Sequence, residues 1–82
     1  MLTWDDQNTL ATLASEQGET RTLSQPARED WFGVADRLLA GSWSKADLLR
    51  AAHLARMDAA MQRDTATAKR YLDLATRAMA AL

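Results

Sequence analysis

The chain has 82 residues, of which 48% are hydrophobic and 26% charged, with a net charge of −1 at pH 7 and no cysteine. This length suits one domain with a small core, because a chain this short buries only about 60% of its unfolded surface. The composition excludes a disulfide scaffold and thiol chemistry, and the net charge argues against a general affinity for nucleic acid or membrane surfaces.

The histidine content and the length of the hydrophobic runs further restrict the class of protein. His53 is the only histidine, so a structural zinc site lacks its ligands. No apolar run approaches the roughly 18 residues of a membrane span, and the sequence does not start with a secretory signal. We therefore expect a cytoplasmic protein without a metal or cofactor.

Charge is divided unevenly along the chain. Residues 1–36 carry seven acidic and two basic residues, a net of −5, whereas residues 37–82 carry eight basic and four acidic residues, a net of +4. Two explanations remain open. The two halves lie against each other or against a symmetry mate, so that their fields partly cancel, or an acidic face meets a basic partner.

The first predicted helix covers about residues 4–17. Thr3 can cap its free backbone N–H groups, and Asp5 and Asp6 suit the positive end of its dipole. Gly18 is a natural left-handed residue for its C-terminal end. The residues expected on its thin buried face are Trp4, Leu10, Leu13 and Ala14, with Ala11 beside them.

The second predicted helix covers about residues 25–40. Ser24 begins it, and Pro26 is tolerated in the first turn because its missing N–H would be unpaired there. Gly41 ends it. The residues expected on its buried face are Trp31, Val34, Ala35 and Leu38, with Phe32 and Leu39 beside them.

The rest of the chain contains no glycine or proline after Ser44. Ser44 and Asp47 form a start that resembles a capping box. One helix of about 38 residues would be about 57 Å long, which is excessive for so small a protein. The apolar period breaks near residues 62–67, where Asp64 is a favourable cap, so we predict two helices joined by a tight turn. Their expected ranges are about 45–62 and 65–81.

Alanine content indicates how these two helices pack. Twelve of the seventeen alanines lie from Ala46 onward, and small side chains let two helix backbones approach closely. We expect an antiparallel helical hairpin with Ala55 and Ala75 at the close approach. The residues expected on the buried face of the last helix are Ala68, Leu72, Ala75, Met79 and Leu82, with Tyr71, Leu74 and Ala78 widening it. The predicted fold class is all-α, a compact bundle of about four helices forming a single domain over residues 1–82.

The third predicted helix carries two apolar stripes. The first, assigned to the hairpin, consists of Leu48, Ala52, Ala55 and Ala59. Leu54, Met57 and Met61 form a second stripe on nearly the opposite side. This second stripe either packs under the first two helices or forms an adaptable, methionine-rich surface that accepts another chain. A homodimer interface would explain both the small core and the surplus stripe.

Three tryptophans are a high count for 82 residues. Trp31 lies on the buried face of the second helix and is predicted to be core. Trp4 lies at a helix start and Trp43 in a turn, where a large aromatic side chain either staples the loop or anchors a partner. The candidate protein-binding residues are therefore Leu54, Met57, Met61, Trp43 and Trp4.

Catalytic signals are missing from the sequence. It contains no phosphate-binding glycine loop, no nucleophile elbow and no pair of metal ligands at helical spacing. Asp5 and Asp6 are adjacent, as are Glu29 and Asp30, so their side chains diverge around a helix rather than converge on a substrate. His53 is interpreted as a surface or half-buried residue. We expect no enzymatic activity.

A DNA-binding helix-turn-helix is the alternative, because residues 41–57 (GSWSKADLLRAAHLARM) join two helices through a short turn at Gly41. The second helix is poorly suited to DNA. Lys45 and Arg50 are its only useful donors near the start, and Asp47 would repel phosphate. Nucleic-acid binding is therefore not the primary expectation.

These observations predict a small, non-enzymatic, homodimeric helical protein that binds another protein and modulates it as an adaptor or an inhibitor. Phages and other mobile elements encode many such proteins against host targets, which makes a phage-encoded modulator of a host protein one expected origin. A helix-turn-helix regulator remains the alternative.

Overall fold

Four α-helices make up the computed structural model, which describes residues 2–82. They are α1 (Trp4–Gly18), α2 (Gln25–Ala40), α3 (Lys45–Met61) and α4 (Thr65–Ala80). Each observed end lies within one residue of the end predicted from the sequence. The predicted all-α class, with about four helices, is confirmed.

Each helix is preceded by an N-cap residue whose side chain accepts a hydrogen bond from the free backbone N–H three residues later. These caps are Thr3, Ser24, Ser44 and Asp64. In α1 and α3 the bond is returned, because the Asp6 carboxylate accepts from the N–H of Thr3 and the Asp47 carboxylate accepts from the N–H of Ser44. Both helices therefore start with a complete capping box in which aspartate replaces the usual glutamate.

Two glycines lie at helix ends, and each is needed there for a different reason. Gly41 follows α2 with φ of 75°, the left-handed conformation that glycine adopts without a steric penalty. Gly18 was expected to have the same conformation, and this prediction is wrong because Gly18 is helical and buried. A Cβ at Gly18 would lie 2.7 Å from the Phe32 ring and 3.1 Å from the Arg28 carbonyl oxygen, so glycine is needed there for space.

The helices pack in pairs. α1 lies along α2 and α3 lies along α4, so the chain folds as a first hairpin (α1–α2) and a second hairpin (α3–α4). The predicted C-terminal hairpin is thus confirmed, and both Ala55 and Ala75 are buried. The two hairpins meet mainly where α3 packs against α1 and α2.

The buried face of α4 is rotated from the predicted one. Leu74, Ala75 and Ala78 are buried, whereas Leu72 is 49% exposed and Leu82 is also exposed. The prediction for Leu72 and Leu82 is wrong because the buried face of α4 is shifted towards Leu74 and Ala78, which were expected only to widen it. Tyr71 and Met79 are partly buried at its edges.

The core consists mainly of small side chains. Nine of the sixteen buried hydrophobic residues are alanines. The largest fully buried side chains are Leu10, Leu38, Leu48 and Val34. Alanine adds little apolar area to a core, so other interactions must help to fix how the hairpins lie together.

Two of the ion pairs that join the hairpins are bidentate. In the last turn of α2, the Arg37 guanidinium donates to both carboxylate oxygens of Asp47, at 2.6 and 2.9 Å. In the last turn of α4, the Arg77 guanidinium donates to both oxygens of Asp6, at 3.0 and 2.9 Å. Each hairpin therefore gives one arginine and one capping-box aspartate to the other, a reciprocal exchange of the kind made by the two halves of a symmetric dimer.

The two hairpins also repeat one pattern of burial. Adding 41 to the number of each buried residue of α1 gives a buried residue of α3, and adding 40 to each buried residue of α2 gives one of α4. The α1–α3 pairs are Asp6 and Asp47, Leu10 and Ala51, Ala11 and Ala52, Leu13 and Leu54, Ala14 and Ala55, and Gly18 and Ala59. The α2–α4 pairs are Val34 and Leu74, Ala35 and Ala75, and Leu38 and Ala78. Only Leu48 of α3 lacks a buried counterpart. Positions related in this way are called equivalent below.

The ion pairs keep both aspartates charged. Side-chain hydrogen bonds from Arg37 lower the pKa of Asp47 to about 2, against the opposing effect of burial. Hydrogen bonds from Arg77 likewise lower the pKa of Asp6. A carboxyl whose pKa is lower in the folded chain than in the unfolded chain stabilises the fold above the unfolded pKa of about 4, and this stabilisation is lost as the pH falls towards the folded value.

Enlarging an alanine at the α3–α4 contact should destabilise the fold. Ala55→Leu or Ala75→Leu inserts a larger side chain between two closely packed helices, so we expect the free energy of unfolding to fall by about 1–3 kcal/mol. Denaturant melts measure this change. Ala60→Leu, at an exposed position of α3, is the control and should change stability by no more than about 0.5 kcal/mol. Equal effects at positions 55 and 60 would contradict the close approach.

Acid should weaken the ion pairs that Asp6 and Asp47 form between the hairpins. We expect the free energy of unfolding to be nearly constant from pH 7 to about 5 and to fall between about pH 5 and 2, as Asp6 and Asp47 are protonated. Asp47→Asn should lower stability at pH 7 by about 1–2 kcal/mol, a modest loss because Arg37 is half-exposed and solvent screens the pair.

The same variant should also respond less steeply to acid. Denaturant melts across this pH range compare it with Glu16→Gln, a control at an exposed position that forms no ion pair with another described residue. An acid response of Asp47→Asn as steep as that of the unaltered protein would contradict the role assigned to this carboxylate.

Candidate functional site

The structure separates the five residues predicted to bind a partner. Leu54 is buried, at 8% exposure, and Trp43 is partly buried against the core. Met57, Trp4 and Met61 are 49%, 60% and 77% exposed. Only Leu54 and Met57 line the same groove.

The second apolar stripe of α3 therefore divides along its length. Leu54 belongs to the core, and so does its equivalent Leu13, which agrees with the alternative in which the stripe packs under the first two helices. Met57 and Met61 lie further along α3 and remain exposed, which agrees with the other alternative. A projection of the sequence places these residues on one stripe but does not show where the covering helices end.

The tryptophans also differ in environment. Trp43 packs against the core from the α2–α3 turn, which is the arrangement of a loop staple. Trp4 was expected on the buried face of α1, and this prediction is wrong because Asp6 is the residue of that first turn that faces α4. Trp31 was expected in the core but is only partly buried against it.

An apolar groove of about 460 Å³ runs along α3. Leu49, His53 and Met57 are spaced four residues apart on α3, so they share one face of the helix. Trp31 of α2 and Met79 of α4 contribute from the neighbouring helices. We call this surface the α3 groove and define it by Trp31, Leu49, His53, Leu54, Met57 and Met79.

The apolar side chains of the α3 groove are not part of the burial pattern that the hairpins share. Leu49 and Met57 are 48% and 49% exposed. The equivalent positions of α1 hold Asn8 and Glu16, which are polar, as expected of a helix face in contact with water. The second hairpin therefore differs from the first by exposing apolar side chains where the first is hydrophilic.

Arg50 fixes one wall of the groove. Its guanidinium carbon lies 4.2 Å from the centre of the Trp31 ring, a cation–π contact, and its Nη1 forms an ion pair with the Asp30 carboxylate at 2.8 Å. This arrangement of Arg50, Trp31 and Asp30 is called the Arg50 site. It ties the first turns of α3 to the middle of α2 and holds the indole in place.

The edge of the groove is positively charged. Arg56 also lines it, is exposed, and takes part in no ion pair among residues 2–82. His53 is exposed beside it, as the sequence indicated. An uncompensated arginine at the border of an apolar surface favours an approaching surface of negative charge.

Sequence reasoning missed Leu49 and the groove wall at Trp31. The signal for Leu49 was its spacing of four and eight residues from His53 and Met57, which is visible in the sequence. The pairing of Arg50 with Trp31 joins residues 19 positions apart on different helices, so no local pattern contains it.

One of the two donors considered for a DNA-reading helix, Arg50, is already engaged within the chain. Arg50 is held by Trp31 and Asp30, and Asp47 is buried in its pair with Arg37. Lys45 remains exposed at the start of α3.

Comparisons with family models, curated proteins and solved structures gave no match to this chain. Over residues 2–82, none of the helices combines the length and the apolar character required to cross a membrane. Within the same range, no three His, Cys, Asp or Glu side chains are grouped as ligands for a metal ion.

Proposed function

We propose that this chain acts by binding another protein, as an adaptor or an inhibitor, and that the α3 groove is its binding surface. The observation that carries the proposal is the half-exposure of Leu49 and Met57 on α3, at positions where α1 has Asn8 and Glu16. The shared core does not require apolar residues at these positions, so they are available to a partner.

The groove has the composition of an adaptable docking site. Covering two half-exposed apolar side chains and the edge of Trp31 removes their apolar surface from water, which favours association in proportion to the area covered. Met57 and Met79 have unbranched side chains that adjust to different partner shapes.

The occupant that fits best is an amphipathic helix with acidic residues beside its apolar face. Leu49 and Met57 are eight residues apart, which corresponds to about 12 Å along α3, or slightly more than two helical turns. A partner helix would present apolar residues at intervals of three or four to this length. Arg56 at the edge would pair with a carboxylate of the partner.

A second copy of the chain is the competing occupant, since the sequence predicts a homodimer. Two copies joined through this groove would bring their positively charged edges together, including Arg56 of each copy. This repulsion favours a different, acidic chain in the groove.

The test is capture from a cell lysate by tagged protein, comparing variants matched for exposure. Leu49→Glu with Met57→Glu should abolish recovery of the partner, because two carboxylates would lose their hydration at the centre of an apolar contact. Leu72→Glu is the control, since Leu72 has the same exposure but lies on α4 outside the groove, and it should retain the partner.

Circular dichroism shows whether each variant remains helical. Partners recovered equally by the groove variant and by the unaltered protein would contradict the proposal. In that case Met61→Glu and Trp4→Glu test the other exposed residues that the sequence singled out.

Light scattering at tens of micromolar identifies which occupant uses the groove. A mass of about twice 9.1 kDa that returns to the mass of one chain in the groove variant would assign the groove to a second copy. A dimer that persists in the groove variant would place the homodimer contact elsewhere and leave the groove to another protein.

A further inference from the structure

A second cavity, of about 380 Å³, lies between α1 and α4 beside the Asp6–Arg77 ion pair. Tyr71 lines it, and the side chains around it include Asp5, Thr9, Arg70 and Asp73. We call it the Tyr71 pocket. None of these residues belongs to the α3 groove.

The Tyr71 pocket corresponds to the Arg50 site. The pocket lies between α1 and α4, and the Arg50 site lies between the equivalent helices α3 and α2. Tyr71 is equivalent to Trp31, and Thr9 is equivalent to Arg50. The flanking ion pairs, Arg77 with Asp6 and Arg37 with Asp47, are equivalent as well. The repeat therefore places an aromatic ring in the same setting twice, once covered by an arginine of the chain and once not.

Thr9 cannot cover Tyr71 as Arg50 covers Trp31. In the Arg50 site, the guanidinium lies over the indole at 4.2 Å and pairs with Asp30. The Thr9 side chain is shorter, and its hydroxyl donates to the Asp5 carbonyl oxygen of its own helix at 2.9 Å. The volume that a guanidinium fills on one side of the molecule is thus open on the other.

Carboxylates line this open space. The positions equivalent to Asp5 and Asp73 hold Ala46 and Gly33, so the pocket contains two acidic groups that the corresponding positions around the Arg50 site lack. Neither forms an ion pair with another residue of the part of the chain that the structure describes. Arg70 replaces Asp30 and offsets one of these charges, which leaves a net charge of −1 once the Asp6–Arg77 pair is counted as neutral.

We propose that the Tyr71 pocket binds the guanidinium group of an arginine side chain presented by another polypeptide. The group would lie over the Tyr71 ring, as Arg50 lies over Trp31, and donate hydrogen bonds to Asp5 and Asp73. A planar guanidinium suits this site better than an ammonium because it stacks on the ring and donates in two directions. The proposal does not depend on the α3 groove having a partner.

The direct test is a titration with an end-capped Gly-Arg-Gly peptide, followed by NMR shifts of backbone amides in α1 and α4. The matched probe contains citrulline, which has the shape of arginine without its charge, and should bind roughly tenfold more weakly. The double variant Asp5→Asn, Asp73→Asn should lose a similar factor. Equal binding of the two peptides, or an undiminished affinity in the variant, would overturn the proposal.

Thr9→Arg supplies the guanidinium from the chain itself. We expect this variant to raise the melting temperature by about 2–8 °C, since it recreates the contact of Arg50 with Trp31, and to abolish peptide binding. Thr12→Arg is the control. Thr12 makes the same hydroxyl bond to a backbone carbonyl, at 2.9 Å to Asn8, but does not line the pocket, so peptide binding should persist. Undiminished peptide binding by Thr9→Arg would contradict the assignment.

Free l-arginine distinguishes the source of the group. Binding no tighter than that of the capped peptide supports a polypeptide ligand. Binding at least tenfold tighter would mean that the amino acid's own ammonium and carboxylate are recognised, with Arg70 pairing the carboxylate, and would overturn the polypeptide assignment.

Discussion

The exchange of arginine and aspartate between the two hairpins is the interaction on which the rest of the structure depends. The core is built largely of alanine, which lets helices approach closely but supplies little apolar area to fix their orientation. Asp6 and Asp47 each close the capping box of their own helix and accept two hydrogen bonds from an arginine of the other hairpin. Both candidate surfaces rely on this arrangement, because the α3 groove and the Tyr71 pocket are each lined by residues from the two hairpins.

The internal repeat separates residues that maintain the fold from residues that distinguish one surface from another. At equivalent buried positions the hairpins often have the same residue, as with Asp6 and Asp47, and the arginines that pair with them are also equivalent. At several positions outside the shared core they differ in chemistry. Arg50 against Thr9 makes one aromatic ring covered and the other open. Agreement between the halves thus marks shared packing, and disagreement marks the places where the two surfaces can act differently.

Local signals in the sequence were sufficient for the helices. Capping residues such as Asp64 and the glycine at position 41 mark helix ends through backbone hydrogen bonds that involve only near neighbours. Alanine content correctly indicated the second hairpin. The exposure of Trp4 and Leu72 was not predictable, because periodicity identifies an apolar stripe but not the helix that covers it. Asp6 and its arginine are 71 positions apart, so their pairing exists only in the folded chain. Of the predicted binding residues, only Met57 combines exposure with a place in the groove.

The contact between Asp6 and Arg77 also determines how the chain could be connected. It brings the first turn of α1 beside the last turn of α4, just as Asp47 and Arg37 bring the start of α3 beside the end of α2. The two junctions between hairpins are therefore alike, and only one of them is bridged by the backbone, through residues 41–44. A circularly permuted chain, opened in that turn and closed by a short linker between α4 and α1, would bring the same side chains together. The side-chain contacts between the hairpins therefore do not require α1–α2 to precede α3–α4 in the chain.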